Sequence, residues 1–247
     1  MTESLQSPAE LSSLDYRLDS YARLLRSFRD AGYAFGSFEG SRPAAGEILL
    51  RHDVDLSLDR ALAMAERERD LGVRSTYCVL LSAPAYDLTR PRNVRVLQRI
   101  ADLGHDLALH FDTRRYWSAA TDPSATVIEA KVADELDVLG RLVGERPSTA
   151  SFHVPPEWVL DRSFESFTNT YAPAFFSEIG YHSDSSQKWR SIEPFGDGLP
   201  DRLQLLVHPG LWHPQGRRMA EIVSERRRRC HGRVDDYFDP MSEAAEQ

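Results

Sequence analysis

Four short apolar segments of this chain each run into an acid or a histidine. The first begins at residue 47 and ends in Asp53 and Asp55, and the others end in His110, His153 and His208. Side chains alternate faces along a strand, so Asp53 and Asp55 share one face, and two adjacent carboxylates repel each other unless a cation or a shared proton lies between them. The pattern predicts an active site where several strands end.

Helical segments separate these strands. Apolar residues recur at helical spacing, commonly followed by glycine, over residues 16–31, 57–70, 93–103, 126–143 and 216–229. This alternation predicts a parallel sheet covered by helices, and in a closed barrel the active groups gather at the carboxyl ends of the strands. The irregular, aromatic-rich stretch at 155–179 is typical of a loop that caps a pocket.

The length of the chain favours a single large domain. Its 247 residues suit one α/β barrel. Residues 1–14 are polar and are predicted to be disordered, residues 15–235 form the predicted catalytic domain, and residues 236–247 form a C-terminal tail. No internal repeat or linker-like composition divides the chain.

Charge and hydropathy limit the partners of the protein. The formal net charge of −8 disfavours nucleic acid, because neutralising phosphates requires a basic face. The one dense basic run, at 225–229, is most simply a solvated helix end. No segment has the ~18 apolar residues of a membrane span, and residues 1–13 lack a signal peptide's apolar core. With Cys78 and Cys230 outside any metal spacing, these features predict a cytoplasmic location.

The residues at the strand ends suit a hydrolytic metal site. Carboxylate and imidazole groups that leave one position open for water are typical ligands of a divalent cation at such a site. Asp55 and His110 are the leading candidates. His153 is either a third ligand or part of the pocket lining, and Asp112, which shares a face with His110 if that strand continues, is a reserve ligand.

Two further histidines have different expected roles. His208 precedes Pro209 and Gly210 and suits a general acid, since imidazole titrates near neutral pH; contact with substrate or simple burial are the alternatives. His52 points away from Asp53 and Asp55 on an extended strand, so we expect it to brace the sheet.

Five segments lie in order over residues 47–214. They are LRHDVD at 50–55, GHDLALHFD at 104–112, SFHVP at 151–155, YHSDS at 181–185 with WR at 189–190, and LLVHP at 205–209. Together they resemble the polysaccharide deacetylase family, the NodB-like family 4 carbohydrate esterases, and the resemblance is greatest to a divergent branch found among bacterial surface-polysaccharide genes. The resemblance implies a distorted (β/α) barrel of about seven parallel strands.

The resemblance also implies roles for the first acid pair. Asp53 would be the catalytic base and Asp55 a metal ligand. The family pattern has a second histidine four residues after the first, where this chain has Arg114, so either His153 completes the Asp-His-His set from the next strand or the metal site is weakened or lost.

Supporting residues follow from the later motifs. The family usually places an arginine beside the base, and Arg51 or Arg190 would take that role here. Asp184 would orient the final histidine, His208, and Trp189 belongs to the same motif. Trp189, Trp212 and Tyr181 are candidates for the walls of a sugar-binding pocket.

The activity implied is metal-dependent hydrolysis of an acetamido group on an amino sugar, either a polysaccharide precursor or a nucleotide-linked sugar. Zinc would be the cation, Asp53 would accept a proton from the attacking water, and His208 would protonate the leaving amine. Two alternatives remain. One is a catalytically silent carbohydrate-binding or scaffold protein, which Arg114 favours; the other is a metal-dependent hydrolase of another C–N or C–O bond.

Overall fold

The computed structural model describes residues 14–40, 42–118, 120–196 and 198–245. The predicted disordered segment, residues 1–14, lies outside these ranges except for Leu14, which is buried.

The described part of the chain contains one parallel sheet of eight strands, which confirms the predicted distorted barrel. The strands are β1 Ala34–Gly36, β2 Glu47–Val54, β3 Thr76–Val79, β4 Asp106–Phe111, β5 Thr149–Phe152, β6 Thr168–Asn169, β7 Gly180–Ser183 and β8 Arg202–Val207. Seven of them follow the order β6-β5-β4-β3-β2-β8-β7, and β1 pairs with the first half of β2. The short strands β1 and β6 were not predicted, because three and two residues carry no readable alternation.

The described part of the chain contains five α-helices. They are α1 Leu18–Asp30, α2 Leu58–Asp70, α3 Pro91–Asp102, α4 Ala125–Val143 and α5 Met219–Ala245. The first four match the predicted helices to within about two residues at most ends. Helix α5 differs: it continues past the predicted end at Arg229 and through residue 236, where the tail was expected to begin. None of the described helices is long and apolar enough to cross a membrane.

The two faces of the sheet differ in polarity. The outer face packs against the helices through two large apolar clusters, one centred on α2, α3 and α4 and the other on α1. The inner face carries buried polar groups, among them Arg51, Asp53, Ser151 and Gln204. Burying polar groups is unfavourable unless they bond to one another, so this polar interior marks the position of the site.

The barrel is not closed by backbone hydrogen bonds between β6 and β7, which end the sheet on either side. Side chains cross the interior instead. The Arg51 guanidinium donates to Thr170 Oγ1 at 3.0 Å and to Gln204 Oε1 at 3.0 Å, and Gln204 donates to Thr170 O at 2.8 Å. Arg51 of β2 and Gln204 of β8 thus hold the segment after β6 against the opposite side of the barrel.

His52 braces the outer face of β2, as expected. Its Nε2 lies 2.7 Å from Glu68 Oε1, and Glu68 also accepts hydrogen bonds from Tyr21, Ser75 and Tyr77. Burial raises the pKa of Glu68, but the nearby His52 and the hydrogen bond from Ser75 lower it by a larger amount, so the net pKa lies below the usual value. Glu68 is therefore a buried carboxylate with several partners that joins α1, α2, β2 and β3.

Replacing Glu68 with glutamine is expected to reduce the free energy of unfolding by about 2 kcal/mol at pH 7, because hydrogen bonds to the charged carboxylate are replaced by weaker ones to a neutral amide. A carboxylate with a lowered folded-state pKa stabilises above its unfolded pKa, about 4.3, and loses that contribution as the pH falls through the folded value. Urea unfolding should show the full deficit at pH 7 and a smaller one at pH 3.5, which lies below the unfolded pKa. Glu66→Gln, at an exposed position of the same helix, is the control. An equal deficit at both pH values would contradict this prediction.

Candidate active site

The end of β2 places an arginine and a carboxylate side by side inside the barrel. Arg51 and Asp53 are two residues apart and share a face; Arg51 Nε donates to Asp53 Oδ1 at 2.8 Å and Arg51 Nη2 to Asp53 Oδ2 at 2.6 Å. Tyr171 also contacts this guanidinium, with its hydroxyl 2.8 Å from Nη2. Both members of the pair are buried, and two parallel hydrogen bonds fix the carboxylate plane.

The charge state of Asp53 follows from this pair. Burial raises the pKa of Asp53, but the adjacent Arg51 guanidinium and the nearby imidazoles lower it, leaving the pKa below its ordinary value. Asp53 is therefore ionised at neutral pH and only weakly basic. Such a group accepts a proton efficiently only from a water whose own pKa has been lowered.

Three candidate ligand atoms from adjacent strands meet next to Asp53. His110 Nε2 of β4 lies 3.1 Å from His153 Nδ1, which follows β5, and each nitrogen lies 3.3 Å from Asp55 Oδ1. That carboxylate oxygen is buried and has no hydrogen-bond partner among the described residues. The structure thus brings together the three residues that the sequence proposed as ligands.

Ser151 fixes which nitrogen of His110 faces this cluster. Its hydroxyl donates to ionised Asp53 at 3.3 Å and lies 3.1 Å from His110 Nδ1. Because the hydroxyl has one proton and gives it to Asp53, Nδ1 of His110 must be the donor in the second contact. With Nδ1 as the donor, the neutral tautomer of His110 has its lone pair on Nε2, the atom that faces Asp55 and His153.

The cluster fits a small divalent cation. Two imidazole nitrogens and one carboxylate oxygen, at separations of 3.1 and 3.3 Å, match the ~3.3 Å edge of a tetrahedral site with ligand distances near 2.0 Å. Without a cation or a proton these acceptors would repel each other. Residues Asp55, His110 and His153 can hold three positions and leave the fourth open towards the cavity.

His208 follows β8 and faces the second carboxylate oxygen of Asp55, the one that does not face His110 and His153. Asp184 is fully buried and accepts from His208 Nδ1 at 2.6 Å, from the His208 backbone N–H at 3.0 Å and from Trp212 Nε1 at 2.8 Å. His208 Nε2 lies 4.0 Å from Asp55 Oδ2, so this nitrogen faces the cluster. Burial lowers the pKa of His208, but Asp184 raises it more, to about 9. The imidazole is held protonated at neutral pH.

A cavity of about 340 Å³ opens over these groups. Tyr171, Phe176 and Tyr181 form aromatic walls, and Val154 and Pro155 line the side next to His153. Tyr171 and Phe176 come from the stretch 155–179, as expected for a loop that caps a pocket. Val154 has a φ of 47°, an unfavourable value for a β-branched residue, and it turns the chain sharply after His153.

The two tryptophans predicted as pocket walls do not line the cavity. Trp189 is 1% exposed and packs with Phe195 in the cluster around α1, and Trp212 is buried against Tyr16 while it donates to Asp184. The prediction was wrong for both because aromatic rings serve cores as readily as sugar sites. Tyr181, the third predicted wall, does line the cavity.

Of the two arginines proposed beside the base, the structure places Arg51 there and not Arg190. Arg190 donates to the carbonyl oxygens of Gly216 and Arg217, and its guanidinium lies over the ring of Tyr16. It therefore holds the chain before α5 and has no contact with Asp53. The sequence left both open, because either one could reach the base from its motif.

Asp112, the reserve ligand, is paired with Arg114. The guanidinium donates to both carboxylate oxygens, from Nε at 2.8 Å and from Nη2 at 2.9 Å. The Arg114 side chain is 55% exposed and that of Asp112 is 19% exposed, and Asp112 is not in the three-residue cluster. His153 instead stands where a third ligand is needed.

Two interior residues with clear roles in the site were missed from the sequence. Ser151 orients His110, and Gln204 holds the Arg51 guanidinium at 3.0 Å. Each lies on a strand at an even spacing from a proposed site residue, Ser151 two before His153 and Gln204 four before His208. That period-two signal was present and marks them as inward-facing.

No family model matches the sequence, and no curated protein does. Similar solved structures include a family 4 acetyl xylan esterase from Clostridium thermocellum in complex with a cobalt ion, at 16% identity, 74% of this chain, 84% of that chain and TM-score 0.44. The Streptococcus pyogenes deacetylase PplD with acetate matches at 16% identity, 85% and 90% coverage and TM-score 0.44. A CE4 family pseudoenzyme from Bacillus anthracis matches at 11% identity, 74% and 60% coverage and TM-score 0.42. At these values the likeness carries no functional conclusion, and function is inferred from the chain's own residues.

Proposed function

We propose that the protein is a metal-dependent hydrolase that removes the acetyl group from an N-acetylated amino sugar. The observation that carries the proposal is the arrangement around the three-residue cluster of Asp55, His110 and His153. An ionised carboxylate, Asp53, lies 3.7 Å from His110 Nε2, and a protonated imidazole, His208, lies 4.0 Å from Asp55 Oδ2. A base and an acid beside a candidate cation site are what amide hydrolysis requires.

Asp53 is the proposed base. It is ionised and its plane is held by Arg51, so it can accept a proton from a water that attacks the acetyl carbonyl. Asp55, His110 and His153 would hold a divalent cation, which when bound lowers the pKa of water and polarises a carbonyl group. The low basicity of Asp53 makes this lowering necessary.

His208 is the proposed acid. Hydrolysis of an amide expels an amine only if the nitrogen is protonated as the C–N bond breaks. With a pKa of about 9, His208 carries the required proton at neutral pH, and Asp184 keeps Nδ1 engaged so that Nε2 faces the cavity. Trp212 and the His208 backbone hold Asp184 in turn.

The cavity supports a sugar as the substrate. Sugar rings pack their C–H faces on aromatic side chains, and Tyr171, Phe176 and Tyr181 offer such faces. Its volume of about 340 Å³ lies near the lower end of the range for small-molecule sites, which suits one sugar residue with its acetamido group. The zinc identity and the cytoplasmic location remain predictions.

The test is acetate release from N-acetylglucosamine and related N-acetyl amino sugars by the purified protein. We expect release that disappears after chelation and returns with Zn²⁺. His153→Gln should lower Zn²⁺ affinity, judged by isothermal titration, by more than the about 10- to 100-fold that loss of an outer-shell partner costs, because it removes a direct ligand atom. Full activity after metal removal would contradict the proposal. Absence of both Zn²⁺ binding and acetate release would favour the carbohydrate-binding alternative.

His182→Gln is the matched control for the histidine variant. His182 belongs to the same sequence motif as Asp184 but its ring packs against Phe195, outside the cluster. It should bind Zn²⁺ as the unaltered protein does. An equal loss of affinity in both variants would indicate general damage to the fold instead of loss of a ligand.

A further inference from the structure

The loop between β3 and α3 is buried although it has no regular secondary structure. It covers residues 80–90, and within it Ala83, Ala85, Tyr86 and Leu88 are at most 9% exposed. All four belong to the apolar cluster around α2, α3 and α4, and none of them lines the cavity over the candidate active site. A loop buried in this way must satisfy its polar groups within the protein.

The Tyr86 hydroxyl bridges the ends of two strands. It accepts from the Leu80 backbone N–H at 3.1 Å and donates to the Val54 backbone oxygen at 2.5 Å. Val54 and Val79 are the last residues paired between β2 and β3, so the hydroxyl lies where that pairing stops. Burial raises the pKa of this hydroxyl above its ordinary value. It is therefore protonated at neutral pH and able to donate.

Asp55 follows this bridge directly. The Val54 carbonyl belongs to the peptide group that contains the Asp55 nitrogen, and this N–H donates back to the Asp53 oxygen at 3.2 Å, so the chain turns here. A peptide group is planar and includes the Cα atoms on both of its sides. A hydrogen bond that holds the Val54 oxygen therefore also fixes the position of the Asp55 Cα.

The Asp55 side chain depends on its backbone more than other site residues do. Arg51 holds the Asp53 carboxylate, and Asp184 holds the His208 ring. By contrast, Asp55 Oδ1, the oxygen that faces the two imidazoles of the cluster, has no hydrogen-bond partner among the described residues. Groups that orient a metal ligand are worth about 10- to 100-fold in metal affinity. For Asp55 this support has to come through the main chain.

Helix α5 holds the loop by its carbonyl oxygens. Arg233 donates from Nη2 to the Pro84 oxygen at 3.0 Å and from Nη1 to the Ala85 oxygen at 3.3 Å. Cys230 Sγ donates to the same Pro84 oxygen at 3.3 Å. Both carbonyls directly precede Tyr86, and both α5 residues lie beyond the helix end that the sequence predicted. The additional length of α5 thus reaches the loop that carries the bridge.

We infer that Tyr86 is a positioning residue for the proposed metal ligand Asp55, and that α5 keeps Tyr86 in place through Arg233. The inference rests on the proposed cation site. Without the hydroxyl, the Leu80 N–H and the Val54 oxygen lose their shared partner in a buried region, which is unfavourable unless the strand ends move. That movement displaces the Asp55 backbone, whereas the side-chain contacts of the proposed base and acid stay intact.

Titration with Zn²⁺ by calorimetry, without substrate, tests the role of Tyr86. Tyr86→Phe should bind Zn²⁺ about tenfold more weakly than the unaltered protein, the lower end of the range for loss of a group that orients a ligand. Tyr77→Phe is the matched control, because Tyr77 is buried in the same apolar cluster but donates to Glu68, away from the cation site. It should keep its Zn²⁺ affinity although its melting temperature falls. Unchanged affinity in Tyr86→Phe, or an equal loss in both variants, would overturn the inference.

A double variant tests the role of α5. Arg233→Gln should weaken Zn²⁺ binding less than Tyr86→Phe does, and the two changes together should have no larger effect than Tyr86→Phe alone, because α5 acts through Tyr86. Arg227→Gln, at an exposed position of the same helix, should leave the affinity unchanged. Losses that add in the double variant would overturn the part assigned to α5.

Kinetics separate positioning from chemistry. At saturating Zn²⁺, Tyr86→Phe should recover most of its kcat for acetate release, since the proposed base and acid are unaltered. A kcat that stays low would indicate a role in the chemical step and overturn the inference. If the protein binds Zn²⁺ but deacetylates no sugar, the proposed function fails, while the titration still decides the role of Tyr86. No Zn²⁺ binding by the unaltered protein would overturn both.

Discussion

Asp53→Asn is expected to reduce acetate release by about 10³-fold, the range typical for loss of a general base. The amide cannot accept the proton of the attacking water, yet it preserves the size and plane of the carboxylate. Zn²⁺ binding should survive, because Asp53 lies outside the cluster of Asp55, His110 and His153. Acetate release with saturating Zn²⁺, beside a Zn²⁺ titration of the same preparation, measures both effects.

Asp112→Asn is the matched control for this variant. Asp112 is also a strand-end aspartate paired with an arginine two residues away, but it is partly exposed and outside the cluster. Its replacement should change the rate by less than about threefold, since exposed pairs contribute little. If Asp53→Asn kept a tenth or more of the activity, Asp53 would not be the base.

Arg51→Met should lower the free energy of unfolding by about 3–5 kcal/mol, because it leaves the buried Asp53 carboxylate without its partner. The Arg51 side chain is 0% exposed, and it also holds Thr170, Tyr171 and Gln204. Urea unfolding of the metal-free protein, followed by tryptophan fluorescence, measures the loss.

Arg114→Met provides the comparison at an exposed site. Arg114 makes the same two-bond contact to an aspartate two residues away, but its side chain is 55% exposed, so the expected loss is below about 1 kcal/mol. A double variant, Arg51→Met with Asp53→Leu, should recover part of the stability since no unpaired charge stays buried. Equal losses for Arg51→Met and Arg114→Met would show that the interior pair contributes no more than a surface pair.

The sequence predicted the barrel and much of the site because both depend on local periodicity. Alternation along β2 placed Asp53 and Asp55 on one face, and the apolar runs placed His110, His153 and His208 at strand ends. In a parallel sheet those ends meet at one edge, so five residues far apart in sequence could be expected to converge.

The sequence-based predictions that were wrong concern features that depend on packing between segments. Trp189 and Arg190 follow a motif residue closely, but the chain turns after Asp184 through two residues with positive φ, Ser186 and Gln187, and carries both side chains away from the cavity. The end of α5 was set too early because Arg226–Arg229 looks like a terminal basic turn, whereas helical residues simply continue. Neither turn direction nor helix length is encoded in local polarity.

Because β6 and β7 are not joined by backbone hydrogen bonds, the Arg51 side chain has a second structural role. The guanidinium that sets the charge of Asp53 also joins β2 and β8 to Thr170, in the segment that follows β6. Loss of the carboxylate would therefore also loosen this contact, and the backbone amides of β6 should exchange with solvent faster in Asp53→Asn than in the unaltered protein, while those of β3 keep their rate. A variant without the Asp53 carboxylate therefore needs another partner for Arg51 if this side of the barrel is to keep its contacts.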